Sequence, residues 1–155
     1  MKMRVFAIWN IKNRNDMRVY ISGKIGEEQL SEATRQKFAR AEIMLRSKGF
    51  EVFNPTTSGF GAYAEEFVKN YNKCLPENMC KRKWYDQILL MDLDAVATCH
   101  AIYLLDDWQD SDGANTEYSY AMAIGRKIFF QSKEDAAVFR NDSIETLEDV
   151  WLPIE

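Results

Sequence analysis

The sequence predicts one α/β domain whose mostly parallel sheet is covered by helices on both faces. The main observation is an alternation of short β-rich or apolar runs with segments of helical periodicity, which is typical of βαβ units. The 155 residues suit a single domain. Their 46% hydrophobic and 28% charged residues are ordinary for a globular protein. Because βαβ connections share one hand, we expect helices on both sides of the sheet.

Two strands and a helix are predicted in the first third of the chain. The β-rich run 18–22 predicts the first strand, which ends at Gly23. Positions of helical spacing then predict a helix within 27–48. They are Leu30, Thr34, Phe38, Ala41 and Leu45. A second short strand follows at 50–53, and Asn54-Pro55 ends it.

Two segments are less regular. Residues 56–83 show no clear periodicity and are predicted to form a long irregular excursion, a kind of loop that is usually functional or mobile. Near the N-terminus, residues 4–9 resemble the first strand. They form either an extra edge strand or part of a segment that precedes a domain beginning near Met17.

The second half of the chain continues the alternation. A helix is predicted over 84–98, and the apolar run 101–105 is a strand of the type buried on both faces. After a polar loop, a helix over 112–124 and a strand over 127–131 follow. Ser132 then begins a short helix as its N-cap, with acidic residues in the first turn.

Charge and residue usage exclude several classes of protein. A net charge of −4 lacks the basic field of a duplex-DNA binder. No apolar run approaches a membrane span or a signal peptide, and the three cysteines have neither zinc-ligand nor disulfide spacing. We therefore expect a cytoplasmic protein. With His100 as the single histidine, carboxylates are the best candidates for catalysis.

Asp92 is the first candidate. Tyr85, Leu89, Asp92 and Val96 are spaced by four, three and four residues, so an acid interrupts an apolar helical stripe. Burial raises the pKa of a carboxyl group, which suits a general acid. In the alternative interpretation the helix is rotated, and Asp92 lies at the solvent boundary beside Asp94.

Glu117 is the second candidate. Ala114, Glu117, Ala121 and Ile124 place a carboxylate on a stripe of small apolar residues near a helix start. The positive helix end favours the ionised form, and a positioned ionised glutamate can act as a nucleophile. Alternatively, Glu117 only stabilises the helix N-terminus.

Two glycine-containing turns are candidate anion sites. Ser111-Asp-Gly-Ala114 offers an N-cap and, at Gly113, close approach of a ligand to the helix N-terminus. Gly23-Lys-Ile-Gly26 follows the first strand, and Lys24 either contacts a phosphate or is simply solvated. Both turns, and Asn54, follow strand ends, which meet at one edge of a parallel sheet.

Three stretches in this order resemble the nucleoside 2-deoxyribosyltransferase family and the related 2'-deoxynucleoside 5'-monophosphate N-glycosidases. The first is Val19-Tyr-Ile-Ser-Gly23, which is similar to their opening strand and loop. The second is 92–105, similar to their helix-to-strand unit. The third is Ser111-Asp-Gly-Ala-Asn-Thr-Glu117 with Ala121 and Gly125, which resembles their serine, glycine, glutamate, alanine and glycine signature.

The greatest similarity is to an uncharacterised, often phage-associated branch. Asn54-Pro55 and Leu104-Leu-Asp-Asp-Trp108 fit its pattern. The resemblance covers about 18–131 and leaves 1–16 as an extra N-terminal segment. It implies a Rossmann-like, flavodoxin-type three-layer sandwich with a mostly parallel five-stranded sheet, assembled as a homo-oligomer.

The resemblance also implies roles for individual residues. Glu117 attacks the anomeric carbon, Asp92 assists departure of the base, and Tyr20 orients the glutamate. The expected substrate-binding residues are Ser22, Gly23, Lys24, Asn54, Trp108, Ser111 and Gly113. Aromatic residues such as Tyr20, Trp108 and some in 56–85 are candidates for stacking on the base.

The implied activity is cleavage of an N-glycosidic bond, or deoxyribosyl transfer, on a nucleoside or nucleoside 5'-monophosphate. It needs no metal or redox cofactor, and the partner is a small molecule rather than a membrane or duplex nucleic acid. One alternative is a catalytically silent nucleotide-binding or sensor protein. Another is an interaction protein that keeps the fold without a pocket.

Overall fold

A four-stranded parallel sheet with helices on both faces forms the described part of the chain, residues 16–27 and 29–154 of a computed structural model. The strands are β1 (Arg18–Ser22), β2 (Glu51–Phe53), β3 (Ala101–Leu104) and β4 (Lys127–Phe130). The longer helices are α1 (Glu32–Ser47), α2 (Phe60–Lys73), α3 (Trp84–Ala97) and α4 (Asp112–Ala123). Two short helices, α5 (Lys133–Phe139) and α6 (Leu147–Val150), follow β4.

The strand order β2-β1-β3-β4 places β1 inside the sheet, paired in parallel with β2 and β3. The chain leaves β1 toward one edge to form β2, and then crosses to the other side of β1 to form β3. The predicted α/β class and parallel sheet are thereby confirmed, and the order is compatible with a Rossmann-like fold. In such sheets the crevice where the order reverses lies at the carboxyl ends of the two strands.

Alternate side chains of β1 enter two separate cores. Val19 and Ile21 pack with Phe38 and Leu45 of α1 on one face. Tyr20 points to the opposite face, into a cluster that includes residues of α3, α4 and α5. Helices therefore cover both faces, and β1 is buried on both sides, as the continuous apolar character of the strands requires.

The expectation of five strands is wrong for the described residues. A single parallel bridge joins Phe130 to Trp151 beyond α6, where a fifth strand would lie beside β4. The Leu152 amide donates to the Phe130 carbonyl at 2.9 Å, so the chain after α6 meets β4 only at the last residue of that strand. The Leu152 carbonyl accepts the Tyr103 hydroxyl at 2.6 Å instead of a strand amide.

The expectation of an irregular excursion over 56–83 is also wrong, since α2 occupies half of it. Ala64 is the one buried residue of this helix, while Tyr63 and Tyr71 are exposed. Phe60, Tyr63, Phe67 and Tyr71 have helical spacing, and the exposed residues Glu65, Lys69 and Lys73 lie on the opposite face. The helical pattern was therefore present in the sequence and was missed. The proposed edge strand at 4–9 lies outside the described residues.

Helix α1 also begins later than the predicted segment. Ser31 is its N-cap and accepts from the Thr34 amide, and the Glu27 carboxylate accepts from the Ser31 amide at 2.8 Å. Residues before Ser31 thus support the cap rather than the helix. Within the described residues, no helix is long and apolar enough to cross a membrane.

The loop after β1 contacts the loop after β3 and helix α1. The Asp107 carboxylate accepts from the Lys24 amide at 3.0 Å and from Lys37 Nζ at 2.6 Å. A Cβ atom on Gly23 would lie 2.7 Å from Leu105 Cδ1 and 3.1 Å from Asp107 Oδ1. The absence of a side chain at Gly23 therefore lets the two loops that follow β1 and β3 approach each other.

We expect Gly23→Ala to lower the free energy of unfolding by about 1–3 kcal/mol, because the added methyl group overpacks a contact with the Leu105 side chain. Urea denaturation followed by circular dichroism measures the loss. Gly61→Ala is the matched control: its Cβ would meet Trp84 at 3.5 Å, an ordinary contact, within α2. Equal stability of the two variants would contradict this account.

Candidate functional site

A cavity of about 340 Å³ opens at the carboxyl end of the sheet, on the Tyr20 side of β1. Three elements form its walls: the loop after β1, the first turns of α3 and the N-terminal half of α4. The polar residues and glycines that line it are Gly23, Gly26, Glu27, Tyr85, Asp92, Ser111, Gly113 and Glu117. Glu27 is exposed to solvent, whereas Asp92 and Glu117 are the buried acids. The cavity therefore lies at the crevice where the strand order reverses.

Glu117 places an almost fully buried carboxyl group in this cavity, with 6% of the residue exposed. Helix α4 begins at Ser111, whose side chain accepts from the Ala114 amide at 3.2 Å, and Glu117 follows in the second turn. Glu117 Oε1 accepts from Ser22 Oγ at 3.4 Å. Its other oxygen, Oε2, has no hydrogen-bond partner within the described residues.

Tyr20 is fully buried beneath the same carboxyl group, and its ring stacks on Phe53 with centroids 5.5 Å apart. Burial raises the pKa of the Tyr20 phenol well above its usual range, and the charge of Glu117 raises it further. In the described residues its hydroxyl makes no hydrogen bond of standard geometry. The phenol is thus a neutral donor next to an acceptor, Glu117 Oε2, that also lacks a partner.

Asp92 supplies the second carboxyl group of the cavity, from α3. No hydrogen bond or ion pair to its side chain is found in the described part of the chain. Burial alone raises the pKa of Asp92 to about 7. The interpretation that the helix is rotated and Asp92 solvated does not hold, because the side chain lines the cavity and is largely buried.

The two carboxyl groups influence each other. Burial raises the pKa of Glu117 well above its usual range, and the charge of Asp92 adds to this effect. The nearby hydroxyl groups of Tyr20 and Ser22 lower the pKa of Glu117, but their effect is weaker. The helix N-terminus is expected to favour the Glu117 anion, but desolvation of the buried carboxyl group is the larger effect and raises its pKa. Such a pair can hold and exchange a proton near neutral pH.

Tyr85, which was not among the site residues expected from the sequence, lies close to the start of α4. A Cβ atom on Gly113 would lie 2.8 Å from the Tyr85 hydroxyl, which reaches across from α3. Only glycine leaves room for this approach without moving the Tyr85 side chain. In the sequence Tyr85 is part of an apolar stripe, and nothing in that pattern indicates that its hydroxyl lines the cavity.

Four of the predicted binding residues do not line this cavity. Ser22 is buried and reaches the site only through its hydrogen bond to Glu117. Lys24 is exposed and contributes its backbone to the contact with Asp107. Asn54 caps a short 3-10 turn, with Oδ1 accepting from the Thr56 amide at 3.0 Å. Trp108 is 2% exposed in the core, where its Nε1 donates to Asp135 at 3.1 Å, so its ring cannot stack on a bound base.

A second cavity of about 290 Å³ adjoins the first and extends toward the start of α2. Asp92, Trp84 and Ile88 line both cavities, and Phe60 lines only the second. Trp84 Nε1 donates to the Gly61 carbonyl at 2.9 Å, which fixes the indole between α2 and α3. The sequence did not identify this wall, because it depends on how the misassigned α2 packs.

The described residues contain no group of three or more histidine, cysteine or acidic side chains placed to hold a metal ion. Asp92 and Glu117 are therefore not part of such a group among the described residues. Hydrogen bonding, proton transfer and nucleophilic attack are the chemistry that these two side chains themselves offer.

Comparison with known families matches the domain of unknown function DUF4406 to residues 17–130, which is nearly three quarters of the chain. The chain belongs to this family. The match begins just before β1 and ends with β4, so it spans the whole sheet and both carboxyl groups of the cavity. No curated protein and no solved structure gives a significant match.

We expect Asp92→Asn to stabilise the protein relative to wild type increasingly as the pH rises from 4 to 8. A pKa raised to about 7 on folding means that the stability contributed by protonated Asp92 is complete below the unfolded pKa and is lost as the pH rises through 7. The difference reaches up to about 4 kcal/mol, since one pKa unit corresponds to ~1.4 kcal/mol. Urea unfolding at each pH measures it.

Asp94→Asn is the matched control, because it makes the same change at an exposed position of α3. This control is expected to shift stability by a similar small amount at every pH. A pH-independent difference between Asp92→Asn and wild type would show that Asp92 is not buried as described.

Proposed function

We propose that this DUF4406 protein cleaves, or transfers the sugar of, the N-glycosidic bond of a deoxynucleoside or its 5'-monophosphate through a covalent glutamyl–sugar intermediate. One observation carries the proposal: the buried Glu117 carboxyl group has a free oxygen in a cavity that it shares with Asp92. Burying two carboxyl groups that have no cationic partner is unfavourable for folding. Groups retained at such a cost in a cleft are candidates for function.

The proposed first step is displacement at the anomeric carbon. Glu117 Oε2 forms a bond to this carbon as the bond from carbon to the base nitrogen breaks, through an oxocarbenium-like transition state. The bonding electrons leave with the base, and the Asp92 proton neutralises the departing nitrogen. Retaining glycosidases use two carboxyl groups about 5–5.5 Å apart in the same way.

The second step releases the sugar from Glu117. Asp92, now ionised, accepts a proton from water or from the nitrogen of a second base as that nucleophile attacks the anomeric carbon. The bond to Glu117 breaks and the carboxylate is regenerated, so the protein returns to its starting state. Water as the acceptor gives a hydrolase, and a second base gives a transferase.

The reaction needs Glu117 ionised and Asp92 protonated, whereas burial raises the pKa of Glu117 and so favours a proton on it. Bound substrate shifts the proton from Glu117 to Asp92. Positive charge developing on the sugar stabilises the Glu117 anion, and a base nitrogen stabilises the neutral Asp92 donor. The hydroxyl groups of Ser22 and Tyr20 also favour charge on Glu117.

The remaining expected roles fit around this pair. Ser111 and Gly113 line the cavity at the start of α4, where backbone amides can bind a sugar oxygen or a 5'-phosphate. The strand order supports a Rossmann-like fold of the flavodoxin type, with its ligand at the switch point. We also propose a homo-oligomer that acts in the cytoplasm.

A nucleotide-binding sensor is the second candidate. The raised pKa of Glu117 favours it, because a protonated carboxyl group is a poor nucleophile but a good hydrogen-bond donor to a ligand. A sensor would form a stable nucleotide complex and release no base.

We expect wild-type protein to release free base from at least one deoxynucleoside or deoxynucleoside 5'-monophosphate, and Glu117→Gln to lower the rate by several orders of magnitude. Loss of the nucleophile removes the covalent route. Chromatography of pooled substrates, with and without an acceptor base, measures release. Dependence on the acceptor distinguishes the transferase from the hydrolase.

The matched control for this assay is Glu66→Gln, the same change on the exposed surface of α2, which should keep wild-type activity. A folded wild-type protein that binds nucleotide but releases no base would sink the enzymatic proposal and support the sensor.

We expect kcat/KM to decline as the pH rises through about 7, where Asp92 loses the proton that the departing base needs. It should also decline in acid, where Glu117 takes up a proton, and this limb should lie above the usual range of a glutamate because burial raises the pKa of Glu117. Initial rates from pH 4 to 10 give the profile. An acidic limb near pH 4, typical of an unperturbed carboxyl group, would contradict the described pair.

A further inference from the structure

Tyr85 presents an unused hydroxyl group to the cavity. It lies in the first turn of α3, and 50% of the residue is exposed. Within the described residues its hydroxyl makes no hydrogen bond, although it lines the cavity together with Asp92 and Glu117. A tyrosine needed only for packing would bury its ring, and this one does not.

The position of this hydroxyl is determined by two elements at once. It stands 2.8 Å from where a Cβ atom of Gly113 would be, so it spans from α3 to the start of α4. Burial raises the pKa of the Tyr85 phenol, and the negative charges of Glu117, Asp112 and Asp92 raise it further. It therefore remains a neutral O–H donor, close to the carboxyl pair.

We propose that Tyr85 is a substrate-contacting residue whose hydroxyl donates a hydrogen bond to an oxygen of the bound sugar or its 5'-phosphate. The inference rests on the proposed function, because it takes Glu117 to be the residue that faces the anomeric carbon. A sugar held between α3 and α4 places its oxygens within reach of the Tyr85 hydroxyl. Gly113 is required because any side chain there would displace that hydroxyl.

Ligand binding to four proteins tests this proposal: the Glu117→Gln parent, in which turnover is blocked, and the same protein with Tyr85→Phe, Gly113→Ala or both. The probes are the four deoxynucleosides and their 5'-monophosphates, with Kd measured by calorimetry. Tyr85→Phe should weaken binding about five- to tenfold, the size expected for one hydrogen bond. A loss confined to the monophosphates assigns the oxygen to phosphate; a loss shared by the nucleosides assigns it to the sugar.

The two substitutions should not be additive. Gly113→Ala should weaken binding in the presence of Tyr85, because its methyl group meets the hydroxyl at 2.8 Å. Combined with Tyr85→Phe it should cost little more, because the next contact, Ser111 Oγ, is 3.7 Å away. Thermal unfolding of all four proteins should agree closely, since an exposed hydroxyl and an alanine in a first helical turn leave the core intact.

Three results would overturn the inference. They are a Tyr85→Phe protein whose affinities equal those of the parent, a Gly113→Ala effect that is the same with and without the Tyr85 hydroxyl, and a parent that binds none of the probes. Base release by the wild-type protein is measured separately. If the wild-type protein releases base but the effects of Tyr85→Phe and Gly113→Ala on Kd are additive, only the role of Tyr85 is refuted. If the two effects are not additive but the wild-type protein releases no base, only the enzymatic proposal is refuted.

Discussion

The parallel pairing of β1 with both β2 and β3 is the constraint on which the described structure depends. It buries Val19 and Ile21 against α1 and Tyr20 against the helices of the opposite face. It also brings the end of β1 beside α4, so that Ser22 Oγ reaches the Glu117 carboxyl group. A shift of β1 by one residue would exchange its two faces and remove Tyr20 from beneath Glu117.

Stability and chemistry make opposite demands on the cavity. The sheet and α1 contribute apolar residues that are fully buried, such as Phe38 and Leu45. The adjoining cavity instead buries Asp92 and Glu117 with few partners, and their pKa values rise as a result. The core supplies the stability that the carboxyl pair reduces, which is the usual relation between a scaffold and a reactive site.

Much of this arrangement was predictable, because strong local signals agree with the tertiary structure. The spacing of Phe38, Ala41 and Leu45 predicted α1, and the interruption of apolar stripes by Asp92 and Glu117 singled out the two carboxyl groups. The ionisation of Glu117 was not predictable, because helix position favours the anion whereas its burial, visible only after folding, opposes it.

Other features depend on tertiary contacts that leave no local pattern. The helical spacing of the aromatic residues in α2 was visible in the sequence, but its packing against α3 rather than the sheet was not. Trp108 was expected at the substrate because it follows a strand, yet its ring turns inward to meet Tyr118 at 4.9 Å and Asp135. A residue's place in the chain thus indicates the sheet edge, but not which way the side chain points.

The attachment of α2 has a consequence for how this family can diversify. One wall of the second cavity comes from the start of α2, which buries only Ala64 and is joined to α3 partly by the bond from Trp84 to the Gly61 carbonyl. A substitution at the exposed residue Ala62 would change the shape of this wall, whereas Asp92, which lines both cavities, is carried by α3. The wall and the carboxyl pair thus lie on different helices, so the sequence of one can vary while that of the other is kept.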